Sequence, residues 1–272
     1  MAKTSASNIY IDADTKDELL EVQGGLIEAI QKGAISEQIK NKNYSGDPTS
    51  GSVTVNRFAN ATVKSYGTAR TAGSGDKLTN SGKVTINVDT DKEIVEELEK
   101  KDIKLYGIVD LARRRVANQA KRMIADLDRA YFSVVEADAT LITPTGTTLV
   151  EKIDELIASL ETVENDWVDG VDKDMLVLTV KPSVYNAIKR YIDTIDGTTG
   201  KINMFHEVRI FSNNRQTNDV LCMIDGAAAQ LVTVDEYDAE KIPLSNAIGL
   251  ELFYSRGTES VMPDLIKGIA TV

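Results

Sequence analysis

The sequence predicts an α+β protein built on one long helix, with an exposed strand ribbon before it and a compact mixed region after it. Three observations carry that reading. Tyr106 to Ala139 has no Gly or Pro after Gly107 until Pro144. Apolar residues there (Ile108, Leu111, Val116, Met123, Ile124, Leu127, Tyr131, Val134) recur in steps of three and four, which places one stripe along a helix. Upstream, Val53, Val55, Ala61 and Val63, and later Val84, Ile86 and Val88, alternate with polar residues as half-exposed strands do. Downstream, short apolar runs alternate with helical spacing. A helix far longer than the average of about 11–12 residues, with strand-rich chain around it, is expected to act as a beam on which other parts are mounted.

The elements follow in order. Residues 1–51 read as an arm: Leu19, Leu20, Val22, Leu26, Ile27 and Ile30 have helical spacing, but Gly24, Gly25 and Gly33 each weaken a helix by about 1 kcal/mol. Asn41 to Gly51 is a breaker cluster. The arm is expected to lie against the body or a neighbour. Residues 52–90 form a hairpin whose Gly-rich stretch SYGTARTAGSGDKLTNSG is an exposed tip. A two-stranded ribbon is barely stable alone, so it is expected to pack on another subunit. Residues 91–105 suit helix by Glu and Lys content and strand by position; strand is favoured.

Pro144-Thr145-Gly146 turns the chain, and Thr147 or Thr148 caps a helix from Leu149 to Val163. Met175 to Val180 is a buried strand. Pro182 opens a short helix ending near Tyr191. Strands are expected at Glu207–Phe211, Val220–Ile224, Gln230–Val234 and Ile248–Tyr254, and residues 258–272 close the chain as a last strand. The boundaries expected are an arm at 1–51, a ribbon at 52–90, one domain from 91–144 with 246–272, and a second from 145–245.

Composition narrows function. With 272 residues, a net charge of −11 and a single Cys and His, the chain lacks the overall basic charge that grips nucleic acid. Cys222 lies in the apolar run VLCMI and is expected to be a buried, inert thiol. His206 is expected to be a surface or packing residue rather than a general base. One His and one Cys exclude ordinary zinc sites. Gly73-Ser74-Gly75 lacks the helix a dinucleotide site needs, and no phosphate loop occurs. The paired carboxylates Asp12/Asp14, Asp169/Asp172/Asp174 and Asp235/Glu236 are what an acidic chain gives freely, and Asp169 to Asp174 has neither the Gly in place nor the closing residue of a calcium loop. Arg113-Arg114-Arg115 is spread around a helix axis and is expected to form ion pairs, some between subunits. No cofactor and no metal is expected. No apolar run is long enough for a signal segment or a membrane span, so a cytoplasmic protein is expected.

The order of elements resembles that of the major capsid proteins of tailed bacteriophages, the HK97 fold, over nearly the whole chain. Leu176–Tyr191 (LVLTVKPSVYNAIKRY) is similar to that family's strand–Pro–helix unit. Val208–Asn214 (VRIFSNN) is similar to its following strand and loop, and Phe253–Leu265 (FYSRGTESVMPDL) to its closing passage. The size is similar to that in siphophages of Gram-positive hosts. The resemblance implies an extended loop at Val53–Val88, a spine helix at Tyr106–Ala139, a peripheral domain (91–144 with 246–272) and an axial domain (145–245). It implies a virion protein, assembled in the host cytoplasm, that forms pentamers and hexamers of itself around double-stranded DNA without sequence-specific binding. It also implies a portal protein and, because the segment before the ribbon is too short for a fused scaffolding domain, a separate scaffolding protein. Subunit contacts are expected at Lys64, Tyr66, Arg70, Asp76, Lys77 and Lys83 of the ribbon and at Arg113, Arg114 and Arg122 of the spine. No covalent crosslink is expected. The alternatives are an encapsulin-like cage, an enzyme with a site in 145–245, and a coiled-coil adaptor, whose strict seven-residue repeat is absent.

Overall fold

The computed structural model describes residues 13–44, 51–70, 73, 75–76, 82–193, 204–243, 245 and 247–272. The chain divides into two compact units. One comprises 1–38, 87–128 and 231–257; the other comprises 39–86, 129–230 and 258–272.

The first unit is a helical layer on a three-stranded sheet. Helix α1 (Ala13–Gly33) runs through Gly24 and Gly25 unbroken, and α2 (Ile35–Ile39) begins after Ala34. The glycines lie on the open side, where a Cβ would meet nothing. Leu19, Val22, Leu26 and Ile30 are buried and join the core of this unit. Burying an aliphatic side chain gains about 1.5–3 kcal/mol, and four of them outweigh two glycines. The helical part of the arm therefore lies on the body. The Ser36 backbone N–H also donates to the buried Asp128 carboxylate at 3.0 Å.

The ambiguous stretch resolves into both structures. Strand β3 (Thr90–Leu98) is followed by helix α3 (Lys100–Tyr106), so the strand expectation holds for its first half only. Gly107, at φ 81°, separates α3 from the long helix α4 (Ile108–Asp138). The 31 residues of α4 span about 46 Å. Strands β10 (Ala228–Lys241) and β11 (Ile248–Ser260) complete the sheet in the order β10-β11-β3. Strand β11 pairs antiparallel with β3, setting Leu252 opposite Ile94 and Leu250 opposite Glu96. Leu250, Leu252 and Tyr254 face Ala112, Ala120, Met123 and Leu127 of α4 in one cluster.

The second unit is a seven-stranded mixed sheet with α5 against it. Its strands are β4 (Thr140–Leu141), β5 (Leu176–Val180), β6 (Ile192–Asp193), β7 (Met204–Phe205), β8 (Val208–Ser212), β9 (Val220–Ile224) and β12 (Ile266–Ile269). Their order is β4-β12-β9-β5-β8-β7-β6, with β5 buried along its whole length. Helix α5 (Leu149–Glu161) starts at Thr148, whose hydroxyl accepts from the Glu151 N–H while Glu151 reaches back to the Thr148 N–H. This is a capping box, and it selects Thr148 over Thr147. Ile153, Leu156, Ile157 and Leu160 seat α5 on the sheet. Helix α6 (Pro182–Ile188) has Pro182 in its first turn.

Three strand expectations are corrected. The last strand does not fill 258–272: β11 continues to Ser260, a single 3-10 turn occupies Pro263–Leu265, and β12 follows. Strand β10 is far longer than Gln230–Val234. The ribbon is shorter than Val53–Val88: β1 (Ser52–Arg57) pairs with β2 (Gly82–Asn87), and 58–65 leaves the ladder, with Val63 fully exposed. The paired ladder ends at Arg57.

Candidate assembly surface

The ribbon is pinned at its base and open beyond it. Val53, Val55 and Ile86 are buried, so the paired part is packed rather than free. At the end of β1, the Arg57 guanidinium forks onto Asp264, with Nη1 2.5 Å from Oδ1 and Nη2 2.8 Å from Oδ2. Planar two-point pairing is the strong form of this bond. Asn165 donates to the same carboxylate at 2.6 Å. The Asn165 side-chain oxygen accepts from the Trp167 and Val168 N–H groups, both at 2.9 Å, which holds the Trp167 ring 5.0 Å from the guanidinium carbon. The Asn60 N–H then donates to the Asp166 carbonyl at 2.9 Å. That bond draws the chain out of the ladder, so the strand ends at Arg57. A Cβ on Gly82 would sit 2.8 Å from the Arg57 Cβ and 3.2 Å from Trp167, so this crossing needs glycine. Burial pushes the Asp264 carboxyl up, but the Arg57 and Asn165 bonds outweigh it and hold the group below its ordinary range. Beside Trp167 and Pro263 lies an open cleft of about 490 Å³.

Beyond the base, the ribbon is clipped rather than packed. Lys64 pairs with Asp76 at 2.7 Å, and Asp76 accepts from the Thr62 N–H at 2.6 Å. The Lys64 bond, and then the Thr62 bond, hold the Asp76 carboxyl below its ordinary range. The Arg70 guanidinium lies 4.2 Å from the centre of the Tyr66 ring. Tyr66 is 90% exposed and Phe58 48%. Six ribbon residues were expected to make contacts with other subunits, and within the chain they lie as follows. Lys64 and Asp76 are brought together, as are Tyr66 and Arg70. Lys83 is exposed on β2, and Lys77 lies outside the described residues.

The three consecutive arginines of α4 point three ways. Arg113 reaches Glu21 at 3.6 Å, Arg114 stacks 4.6 Å over Tyr106, and Arg115 forks onto Glu96. Glu96 also accepts from Gln119, which in turn accepts from the Tyr237 hydroxyl at 3.0 Å. The Arg115 bond is the main reason that the Glu96 carboxyl is held below its ordinary range. Arg122 is exposed and makes no ion pair with the described residues.

Cys222 is fully buried, and burial pushes its thiol up to about 12. His206 and Glu207, at φ 48° and 74°, form the two-residue turn between β7 and β8; the His206 ring stacks on Phe205 and meets Asp154 at 2.8 Å. His206 thus sits at a turn tip, packed on Phe205 and paired with Asp154. Among the described residues, no cluster of metal-ligating side chains occurs and no helix is long and apolar enough to cross a membrane. Sequence reasoning missed Arg57, Asn165, Trp167 and Asp264. Their only advance signal was the lone Trp in an acidic loop.

No protein-family profile matches the chain, and no curated protein matches it. Solved structures do share its architecture. The capsid structure of the cyanophage P-SCSP1u aligns over 88% of both chains with a TM-score of 0.61 at 12% identity. A structure of Mycobacterium phage Che8 aligns over 80% of this chain and 84% of its own, with a TM-score of 0.55 at 18% identity. A virus-like particle from Pyrococcus furiosus covers 92% and 98%, with a TM-score of 0.57 at 10% identity. The class is thus a mixed α+β fold shared by phage capsid and capsid-like particle structures. In particular, the chain has the HK97-like capsid fold.

Proposed function

We propose that this chain is the structural subunit of an icosahedral phage head, assembling with copies of itself into pentamers and hexamers and then into a closed shell. One observation carries the reading: nearly the whole chain has a capsid fold, and that fold presents a ribbon pinned at its base with Phe58, Val63 and Tyr66 left exposed. Exposed apolar side chains on a preset arm are suited to burial on a neighbour. The ribbon (52–90) is the extended loop of that shell, Tyr106–Ala139 its spine, 91–144 with 246–272 its peripheral domain and 145–245 its axial domain. The partners proposed with that reading are a scaffolding protein, a portal protein and packaged double-stranded DNA held without sequence-specific contacts. The role is structural and not enzymatic.

The likeness to the Pyrococcus furiosus particle supports a second reading, a cage of the encapsulin kind without packaged genome. Sedimentation velocity of the purified protein, alone and co-expressed with neighbouring gene products, tests the shared claim. Species many times the 29.7 kDa of one chain are expected. A chain that stays monomeric or dimeric in every condition contradicts both readings. DNA recovered from nuclease-treated particles separates a phage head from an empty cage.

A further inference from the structure

The first unit carries two faces of opposite charge that look away from the same core and that no described residue covers. One is the outward face of the β10-β11-β3 sheet. Strand alternation turns Ile94, Glu96 and Leu98 toward α4, and Asp91, Glu93, Val95 and Glu97 away from it. Asp91, Glu93 and Glu97 are exposed and make no ion pair with described residues. Val95, 47% exposed, stands opposite Glu251, and Phe253 stands opposite Glu93. The face is thus a small apolar centre ringed by carboxylates. The second face belongs to α4. Steps of three and four put Arg114, Ala117, Asn118, Lys121 and Arg122 on one side, away from the buried Ala112, Ala120 and Met123. Lys121 and Arg122 are exposed with no ion-pair partner among described residues, and Arg114 is held against Tyr106. Small residues between the cations leave the helix backbone open to close approach.

We propose that the acidic sheet face of one copy receives the basic α4 face of a second copy. This rests on the self-assembly reading and names the surfaces that meet. Both faces look outward from one core, so a single copy cannot satisfy one with the other. Two different patches meeting head to tail make a heterologous contact, which closes into a ring when the rotation permits. The match of three carboxylates to three cations around an apolar centre steers the encounter and fixes its register. A chain of net charge −11 that nonetheless gathers cations on one helix face has, in its own sheet, a ready counterpart. A nucleic-acid role for the helix would leave the acidic sheet face without a purpose.

Charge reversal tests this. The variants are E93K/E97K, R114E/R122E and the four-fold combination, assayed beside wild type by light scattering at low and high salt. Each double variant is expected to raise the concentration needed for assembly by at least about tenfold, since like charges then face each other. The four-fold variant is expected to recover most of that loss, and salt is expected to weaken wild-type assembly. Thermal melts of unassembled protein check folding, and E93Q/E97Q with R114Q/R122Q, which avoid new charges, replace any double variant that fails to fold. Doubles that assemble like wild type overturn the proposal, as does a four-fold variant no better than either double. Loss confined to R114E/R122E also overturns it and points to nucleic acid on the helix. Wild type that never assembles contradicts the self-assembly reading instead.

Discussion

Replacing Arg57 with Ala should lower the melting temperature of the second unit by about 4–8 °C. The change removes two charge-assisted bonds from Asp264 and the cation beside Trp167, and leaves the carboxylate with Asn165 as a remaining side-chain donor. Fully buried pairs cost about 3–5 kcal/mol when one partner is removed. Here the side chains are 14% and 30% exposed, and water can reach the orphaned acid. A loss of about 2 kcal/mol is therefore the working figure, and a chain of this size shifts by about 2–4 °C per kcal/mol. The sign of the pH dependence follows from Asp264. Its folded value lies below the ordinary 3.8, so its contribution is present at neutral pH and is lost as pH falls through that range. Differential scanning calorimetry of wild type and R57A between pH 7 and pH 3 (values chosen to bracket the range) reads both effects. Wild type should lose its advantage over R57A on acidification. A shift under about 1 °C at pH 7, or a gap that does not narrow in acid, refutes the anchoring argument.

Other outcomes are expected elsewhere. Thr148→Ala removes the α5 cap and should cost about 1 kcal/mol, read as a fall of about 2–4 °C in Tm. Gly257→Ala would place a Cβ 1.8 Å from the Asn87 carbonyl oxygen; the protein should be insoluble or melt far below wild type. Cys222 should resist a thiol reagent at pH 8 in the native protein and react on addition of denaturant, because burial raises its thiol to about 12; rapid native labelling contradicts its placement. Tyr66→Ala should leave Tm unchanged, since the ring is 90% exposed, while lowering assembly yield; a changed Tm with normal assembly contradicts the role given to the ribbon.

The elements with strong local signals were legible in sequence. Helix α4 was readable from its unbroken stripe, and its start and end fall within two residues of Tyr106 and Ala139. Thr148, Pro182 and the runs MLVLTV and VLCMI each announced their element. Strand β10 was under-read because its second half interleaves Asp238 and Glu240 with Tyr237 and Ala239, where outward charge masks an inward apolar face. Helix α1 was under-credited because Gly24 and Gly25 lower propensity on the side that packs against nothing, while Gly33 comes close to Ile124 at the helix end. The ribbon was over-extended because Ala61 and Val63 keep the alternation of a strand. The chain leaves the ladder through the Asn60 bond to Asp166, just past the pairing of Arg57 with Asp264, 207 residues away, and no local pattern reports such distant partners.

The most direct test of the central claim is cryo-electron microscopy of the protein purified alone and after co-expression with its neighbouring genes. The account predicts closed shells, or rings of five and six, in which the ribbon of one copy lies on the next. A monodisperse small species in both preparations, with the ribbon touching no second copy, contradicts it.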